Sequence, residues 1–152
     1  MAAVAVKYPA FRELGTEVLV ISVDSVDSHR AWQEKQLTKM VKGGVIFPML
    51  SDPEGEIGAC FGLYDAEKGV DGRGCFLIDP EGAIQSIDIL SDPVGRNVSE
   101  ILRRLRALQH HQATGEYMPC GWQPGRPVLT ADTEEAKKAC EKKDAWKTRH
   151  AF

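Results

Sequence analysis

Apolar and polar positions alternate along the first third of the chain in blocks that predict helix, strand and helix. Residues 1–14 predict a helix that is bent or broken at Pro9, because proline lacks the N–H that a helix interior needs. Residues 16–24 are rich in β-branched side chains and apolar on both faces, which is typical of a buried strand. Turn and cap residues at 24–28 then precede a predicted helix over 28–41.

The middle of the chain predicts short elements that end in a hairpin. Residues 45–50 predict a short strand, and residues 56–64 predict a brief helix. Residues 72–79 and 83–90 predict two strands, and the tight turn PEG between them indicates a β-hairpin.

The clearest helical pattern covers residues 97–111. Asn97 is placed to cap this helix, with Glu100 three residues on as in a capping box. The apolar positions form one stripe along it: Val98, Ile101, Leu102, Leu105 and Leu108.

The order of these elements predicts an α/β fold. Parallel strands joined through helices come first, and an antiparallel hairpin follows, so we expect one mixed sheet covered by helices on both faces. This is the plan of the thioredoxin-like folds. We therefore assign residues 1–114 to a core of that class.

After Thr114 the pattern changes, and residues 115–152 are turn-rich and then highly charged. Such a segment cannot offset its own ordering entropy, so we expect an extended C-terminal arm that lies on another surface. Its isolated aromatic residues are the expected anchors: Trp122, Trp146 and Phe152.

Composition narrows the possible partners and the compartment. The chain has 152 residues, enough for one domain with a real core, and a net charge of −3. The chain has no excess of basic residues that would attract nucleic acid or an anionic membrane. No apolar run is long enough to span a bilayer. The N-terminal residues lack a signal-peptide pattern. We expect a soluble, cytoplasmic protein with no nucleic-acid or membrane partner.

Four cysteines lie far apart with no CxxC pair, so we expect no zinc site and no cofactor. In a cytoplasmic chain, any disulfide is expected to be transient and catalytic. Cys60 and Cys75 are interpreted as small apolar core residues. The remaining two cysteines are Cys120 and Cys140. The four histidines are interpreted as surface residues: His29, His110, His111 and His150.

Several separate blocks resemble the typical two-cysteine peroxiredoxins, in the branch of the alkyl hydroperoxide reductase subunit. The blocks follow one another in that family's order and spacing: VLVISVDS with HRAW, FPMLSDPEG, GRGCFLIDPEG, GRNVSEILRRLRALQ and GWQPG. The resemblance covers roughly residues 11–130, while residues 131–152 resemble no block of that family.

The resemblance implies reduction of a hydroperoxide by a thiolate. In the family, that thiolate sits in a Pro-x-x-x-Thr-x-x-Cys loop at the start of the first long helix, where unpaired N–H groups and the helix dipole favour the charged form. An arginine from a later strand adds positive charge as the O–O bond stretches. Arg73 matches that arginine; the alternative is a solvent-facing arginine paired with a carboxylate.

The nucleophile's motif occurs nowhere in the chain, and the match places the reactive position a few residues before Met1. We therefore expect a truncated sheet and little peroxidase activity from residues 1–152 alone. Three explanations stay open: a fragment, a degenerate homologue, or a misassigned start. A start is misassigned in this way when a selenocysteine codon is read as a stop and the gene is taken to begin at the next start codon. The nucleophile is therefore expected to be either cysteine or selenocysteine.

The C-terminal stretch GEYMPCGW resembles the family's resolving segment, with the cysteine displaced. Ungapped matching puts Met118 at the resolving position, and Cys120 follows two residues later. Cys120 is the first resolving candidate, and Cys140 on the tail is the second. The third possibility is that neither cysteine resolves. Trp32 lies where the family places a tryptophan near the substrate pocket; the alternative is a helix residue packed on the sheet.

The resemblance also implies partners. These are a hydroperoxide substrate, a thioredoxin-like or dedicated reductase protein, and a second copy of the chain in a homodimer or a ring of dimers. The edge strand over 83–90 is the expected pairing surface. The alternative function is a catalytically dead binding or regulatory subunit that pairs with a full-length peroxiredoxin.

Overall fold

The computed structural model describes residues 1–129, in which helices alternate with short strands. The helical segments are α1 (Ala2–Glu13), α2 (Val26–Trp32), a π-helix (Gln33–Leu37), α3 (Thr38–Met40), α4 (Glu56–Cys60) and α5 (Val98–Thr114). The strands are β1 (Val20–Ser22), β2 (Met49–Ser51), β3 (Tyr64–Asp65), β4 (Val70–Asp71), β5 (Arg73–Ile78) and β6 (Ile84–Leu90). Met1–Val98 form one compact unit, and a second unit begins at Ser99. The predicted division at Thr114 stays a prediction.

Helix α1 runs without interruption through Pro9, so the predicted break is absent. Pro9 lies inside the helix and removes one backbone hydrogen bond, at a cost of about 3 kcal/mol. The buried face outweighs that cost, because each large apolar side chain contributes about 1.5–3 kcal/mol. Tyr8 and Phe11 are buried there, and the ring of Tyr8 packs on that of Phe47 with centroids 5.4 Å apart.

Strands β1 and β2 form the parallel pair that the alternating pattern predicts, and the helical residues 26–40 connect them. Both strands are shorter than their apolar runs. The register pairs Val20 with Met49 and Ser22 with Ser51. Pro48 precedes β2 and has no N–H to donate, although its carbonyl accepts from the N–H of Val20 at 3.1 Å. The ladder of β2 therefore begins only after Pro48.

The connecting helix begins at Val26, two residues before its predicted start, because Ser25 caps it. The Ser25 hydroxyl accepts the N–H of Ser28 at 3.2 Å. The π-helical turn that follows carries Gln33, whose amide bonds both backbone groups of Val45, at 3.0 and 3.1 Å. One side chain thus ties the helix to the segment before β2.

The hairpin of β5 and β6 is confirmed. Its antiparallel register pairs Arg73 with Leu90 and Ile78 with Ile84. In the turn, Asp79 accepts the N–H of Ala83 on its side chain at 2.7 Å. A second small hairpin, β3 with β4, was not predicted, because two-residue strands are too short to show a periodicity.

The α/β class is confirmed, but the strands pair differently from the prediction. Within residues 1–129 they form three two-stranded sheets, β1–β2, β3–β4 and β5–β6, whereas one mixed sheet was predicted. Parallel pairing first and a hairpin afterwards is the predicted order. Sequence periodicity indicates which segments are extended, and the lateral partner of a strand is set by contacts between distant segments.

The described part of the second unit comprises α5 from Ser99 onward and the segment that folds back on this helix. Most of the predicted apolar stripe is buried, including Ile101, Leu102 and Leu105. Trp122 is 4% exposed, and its ring lies 5.1 Å from that of His110, so the predicted anchor is confirmed. Tyr117 and Leu129 form an isolated antiparallel bridge. The predicted anchors Trp146 and Phe152, and the candidate Cys140, lie outside the described residues.

Helix α5 is the longest helix of residues 1–129, with 17 residues. In this part of the chain no helix has both the length and the apolar character needed to cross a membrane.

Candidate functional site

Arg73 begins strand β5, directly after Gly72, whose N–H bonds the carbonyl of Leu63 at 2.8 Å. Its side chain is 45% exposed, and Nε lies 3.8 Å from Oδ1 of Asp92. This distance is too long for a hydrogen bond and leaves the guanidinium only loosely paired. A neighbouring carboxylate is what the alternative interpretation of Arg73 predicted. The charge of Arg73 also acts on the amino group at the start of α1.

The start of α1 lies within the electrostatic reach of two guanidinium groups. Burial lowers the pKa of the amino group of Met1, and the charges of Arg96 and Arg73 lower it further. Arg96 is held against β5 because its Nη2 donates to the carbonyl of Gly74 at 3.1 Å. The positive end of a helix dipole therefore lies in the field of two guanidinium groups, which suits an anion or an oxygen that gains negative charge.

Arg96 is a member of this region that the sequence did not indicate. It lies in the family-like block GRNVSEILRRLRALQ, but neither that block nor the periodicity of the chain assigned it a role in a site. Only the packing of that segment against β5 brings its charge, like that of Arg73, within electrostatic reach of Met1.

Trp32 lines a groove of about 250 Å³ on α2. The other lining residues are Asp24, Ser28, His29 and Gln36, so Arg73 is not among them. The Trp32 indole N–H donates to Oε1 of Gln36 at 3.2 Å, which fixes the ring along the helix. The structure does not bring Trp32 and Arg73 together in this groove. The pocket role of Trp32 stays a prediction.

His29 is buried, so its interpretation as a surface residue is wrong. It is 6% exposed, and its Nε2 lies 2.9 Å from Oγ of Ser22. The Ser22 hydroxyl donates to Oδ2 of Asp24 at 2.9 Å, so the proton between Ser22 and His29 belongs to Nε2. Nδ1 is buried without a partner among residues 1–129. The inner face of α2 is occupied by this polar residue, which hydropathy alone would place outside.

Cys60 is exposed at the end of α4, so its interpretation as a core residue is also wrong. Helix α4 has five residues and buries only Gly58, which leaves its last position open to solvent. Cys75 is half-buried on β5, opposite Asp88. Within residues 1–129, no three His, Cys, Asp or Glu side chains are grouped to hold a metal ion.

Cys120 occupies the exposed corner of a tight turn. The N–H of Trp122 bonds the carbonyl of Pro119 at 3.1 Å, and Gly121 has φ 67°. A positive φ at the third position is typical of a type II turn, which glycine adopts without strain. The turn holds the thiol of Cys120 at the surface of the second unit.

Sequence comparison decides the family. The model of the AhpC/TSA family matches residues 1–87, and that of the C-terminal domain of 1-Cys peroxiredoxin matches residues 107–143. The chain belongs to the peroxiredoxin family. The second match extends beyond residue 130, where the resemblance was expected to end.

Individual relatives agree with this assignment. The chain is 53% identical over 131 residues to the selenocysteine-containing peroxiredoxin PrxU of Peptoclostridium acidaminophilum, covering 85% of the chain and 64% of the relative. It is 37% identical to the chloroplastic 2-Cys peroxiredoxin BAS1 of Hordeum vulgare, covering 86% of the chain and 62% of that relative. The chain therefore spans less than two thirds of the length of these relatives.

A solved structure confirms the thioredoxin-like fold. The crystal structure of the reduced 2-Cys peroxiredoxin of Plasmodium vivax aligns with a TM-score of 0.78 at 34% identity. The alignment covers 84% of this chain and 65% of that one. The predicted fold class is thus that of the family, with the short sheets described above.

Proposed function

We propose that this chain serves a peroxiredoxin-type peroxidase that reduces hydrogen peroxide and organic hydroperoxides in antioxidant defence. In this proposal the nucleophile is a cysteine or selenocysteine that precedes Met1. The observation that carries it is that the charges of both Arg73 and Arg96 act on the amino group of Met1, which precedes α1. The identity of 53% to a selenocysteine-containing peroxiredoxin supports selenium as one possibility.

In the proposed reaction, the thiolate or selenolate attacks the terminal oxygen of the hydroperoxide. The O–O bond breaks, the nucleophile becomes a sulfenic or selenenic acid, and the leaving oxygen takes a proton to give water or an alcohol. Negative charge grows on both peroxide oxygens as this bond stretches. The guanidinium of Arg73 is the proposed donor to those oxygens, and that of Arg96 adds a second positive charge to the same region.

The resolving step is proposed for the second unit. Cys120 is the first candidate because its thiol is exposed on the turn at the arm's surface. Cys140, outside the described residues, is the second candidate, and resolution by neither cysteine is the third possibility. The electron donor is then a thioredoxin-like or dedicated reductase protein.

The proposed protein is cytoplasmic and assembles as a homodimer or a ring of dimers. Strand β6 supplies the pairing edge, since within residues 1–129 it bonds only β5. Ile87 and Ile89 are exposed on this strand. Ile87→Lys should lower the sedimentation coefficient to that of a monomer, whereas Val6→Lys, at an exposed apolar position of α1, should not. Dimers unchanged by Ile87→Lys would remove β6 from the proposal.

The peroxidase proposal is tested with the protein isolated from its source and with variants of its complete gene. Arg73→Gln should lower kcat/KM for hydroperoxide by about a hundredfold or more, because the transition state loses its charged donor. The matched control is Arg30→Gln, which removes an exposed guanidinium paired with Asp27 on α2 and should leave turnover unchanged. Full turnover by Arg73→Gln would contradict the role of Arg73.

The same protein separates the resolving candidates and the alternative function. One equivalent of hydroperoxide should yield a disulfide or selenosulfide that includes Cys120, identified by peptide mass spectrometry. This bond should disappear in Cys120→Ser and persist in Cys140→Ser. A complete protein that consumes no hydroperoxide with any dithiol reductant would instead favour the catalytically dead regulatory subunit.

A further inference from the structure

Arg103, on α5, is held by three hydrogen bonds within the described part of the second unit. Its Nε and Nη2 donate to the two carboxylate oxygens of Glu100, at 2.6 and 2.8 Å. Its Nη1 donates to the backbone carbonyl of Trp122 at 3.2 Å, and the side chain is only 18% exposed. A guanidinium held by a bidentate carboxylate and one carbonyl has little freedom to move.

The carbonyl that Arg103 binds ends the turn that presents Cys120. The turn runs from Pro119 to Trp122, and Cys120 is its second residue. The end of this turn at Trp122 is also fixed by the buried indole of that residue, whose N–H donates to the carbonyl of Arg126 at 3.0 Å. Arg103 therefore reaches from α5 to the backbone that sets the position of the Cys120 sulfur.

The charge of this cluster is positive and lies close to that sulfur. Arg104 also donates to Glu100, at 3.0 Å, so two guanidinium groups share one carboxylate. The hydrogen bond that Arg103 donates to Glu100 is the main cause that raises the pKa of Arg103, and the charge of Cys120 acts on it in the same direction. The attraction between the Arg103 guanidinium and the Cys120 sulfur acts on both groups.

We propose that Arg103 is a positioning residue for Cys120: through its hydrogen bond to the Trp122 carbonyl it holds the turn 119–122 on α5, and its positive charge faces the sulfur that attacks in the resolving step. The proposal rests on the resolving role proposed above for Cys120. In that step the Cys120 sulfur attacks the sulfur or selenium that a hydroperoxide has oxidised. The new S–S or S–Se bond forms as the bond to oxygen breaks, and the departing hydroxide takes a proton to become water. Cys120 is oxidised and the nucleophile's sulfur or selenium is reduced.

The test uses the full chain and measures the thiol itself. Each cysteine is alkylated with iodoacetamide over a range of neutral and alkaline pH, and peptide mass spectrometry gives the rate at each one. The rate at Cys120 divided by the rate at the exposed Cys60 of the same molecule is called the Cys120 ratio. Arg103→Gln should lower this ratio near neutral pH by about two- to fivefold, because the Cys120 sulfur loses the attraction of one partly exposed positive charge. Cys120 is already exposed, so a loosened turn adds little access.

Two variants separate positioning from general stability. Arg104→Gln removes the other guanidinium bonded to Glu100 and should change the Cys120 ratio less than Arg103→Gln does. Arg103→Lys keeps the charge and should restore most of the alkylation rate. Amide hydrogen exchange in residues 119–122 should be faster in Arg103→Gln than in the unaltered chain. An unchanged or increased Cys120 ratio in Arg103→Gln, or an equal fall in Arg104→Gln, would overturn the proposal.

Alkylation requires no peroxide turnover, so this result is independent of the peroxidase assay. A fall in the Cys120 ratio with no disulfide at Cys120 after hydroperoxide treatment would retain the electrostatic contact and reject the resolving role. A Cys120 disulfide that forms equally fast in Arg103→Gln and in the unaltered complete protein would retain the resolving role and reject Arg103 as its positioning residue.

Discussion

Oδ1 of Asp71 occupies the place that a β-carbon at position 58 would need. Gly58 is the buried residue of α4, and Asp71 lies at the end of β4, two residues before Arg73. The same oxygen is buried without a partner among residues 1–129. A carboxylate is thus packed against a helix backbone where only glycine leaves room for it.

Asp71→Asn should stabilise the protein at neutral pH. Burial, and then the charge of Asp52, raise the pKa of Asp71 above its ordinary value of 3.8. A group with a raised folded pKa contributes its stability below the unfolded pKa and loses it as the pH rises through the folded pKa. The charged form therefore costs stability at pH 7, and the neutral amide should raise Tm by about 2–4 °C.

The gain from Asp71→Asn should shrink as the pH is lowered toward 3.8, because the native carboxyl is then protonated. The matched control is Asp27→Asn, whose side chain is 93% exposed in a loose pair with Arg30 and whose Tm should stay near that of the unaltered chain. A lower Tm for Asp71→Asn at pH 7 would contradict the buried-charge account.

Gly58→Ala should destabilise the protein by about 1–3 kcal/mol, although alanine has the higher helix propensity. Its β-carbon would displace the Asp71 carboxylate and approach that of Tyr64 at 3.3 Å. Gly95→Ala is the control, since no atom lies within 4 Å of its added carbon. Urea unfolding of both variants measures the difference. The penalty of Gly58→Ala should be smaller in an Asp71→Ala background, and equal penalties in both backgrounds would exclude this clash.

Ser22→Ala should cost about 1–3 kcal/mol, because the buried Nε2 of His29 would lose its partner. Ser28→Ala serves as the control, because it removes an exposed hydroxyl that bonds Ser25 and lies on the same helix as His29. The free energy of unfolding from urea titrations should fall in the first variant and remain within about 0.5 kcal/mol in the second. Equal values would show that the Ser22–His29 hydrogen bond contributes nothing net.

Glu100→Gln should weaken the pH dependence of stability in acid. The hydrogen bond from Arg103 is the main cause that lowers the pKa of Glu100 from 4.5 to about 2. A depressed folded pKa gives stability that is present above the unfolded value and is lost as the pH falls through about 2. The variant should be less stable than the unaltered chain at neutral pH, and the two should converge near pH 2. Parallel curves of unfolding free energy against pH would contradict this prediction.

Trp122→Ala should release the segment 115–129 from α5, since it removes the ring against His110 and the bond to Arg126. Limited proteolysis should then cut this segment severalfold faster, because cleavage follows the population of the open form. Trp122→Phe keeps an aromatic ring, so its cleavage rate should lie between those of Trp122→Ala and the unaltered chain. Trp32→Phe on α2 is the control and should leave the cleavage rate unchanged. Resistance of Trp122→Ala to cleavage would show that other contacts hold the arm.

Much of the fold follows from local patterns. The apolar stripe of α5 and the hairpin of β5 and β6 are strong periodic signals, and both elements are present. The sequence blocks also indicated the family and drew attention to Arg73. These features depend on neighbours within a few residues, which is the range over which hydrophobic periodicity and turn chemistry act.

Other features required the folded chain. His29 and Cys60 have the opposite exposure from the one predicted, because the burial of a single residue depends on which segments cover it. Arg96 acts on the charge of Met1 because a contact with β5 holds its side chain. Arg103 meets the turn of Cys120 only because the arm folds back on α5. Local patterns along the chain thus specify most of the helices and strands and indicate the family. Contacts between distant segments set which polar groups meet, since a charge is positioned by partners far from it along the chain.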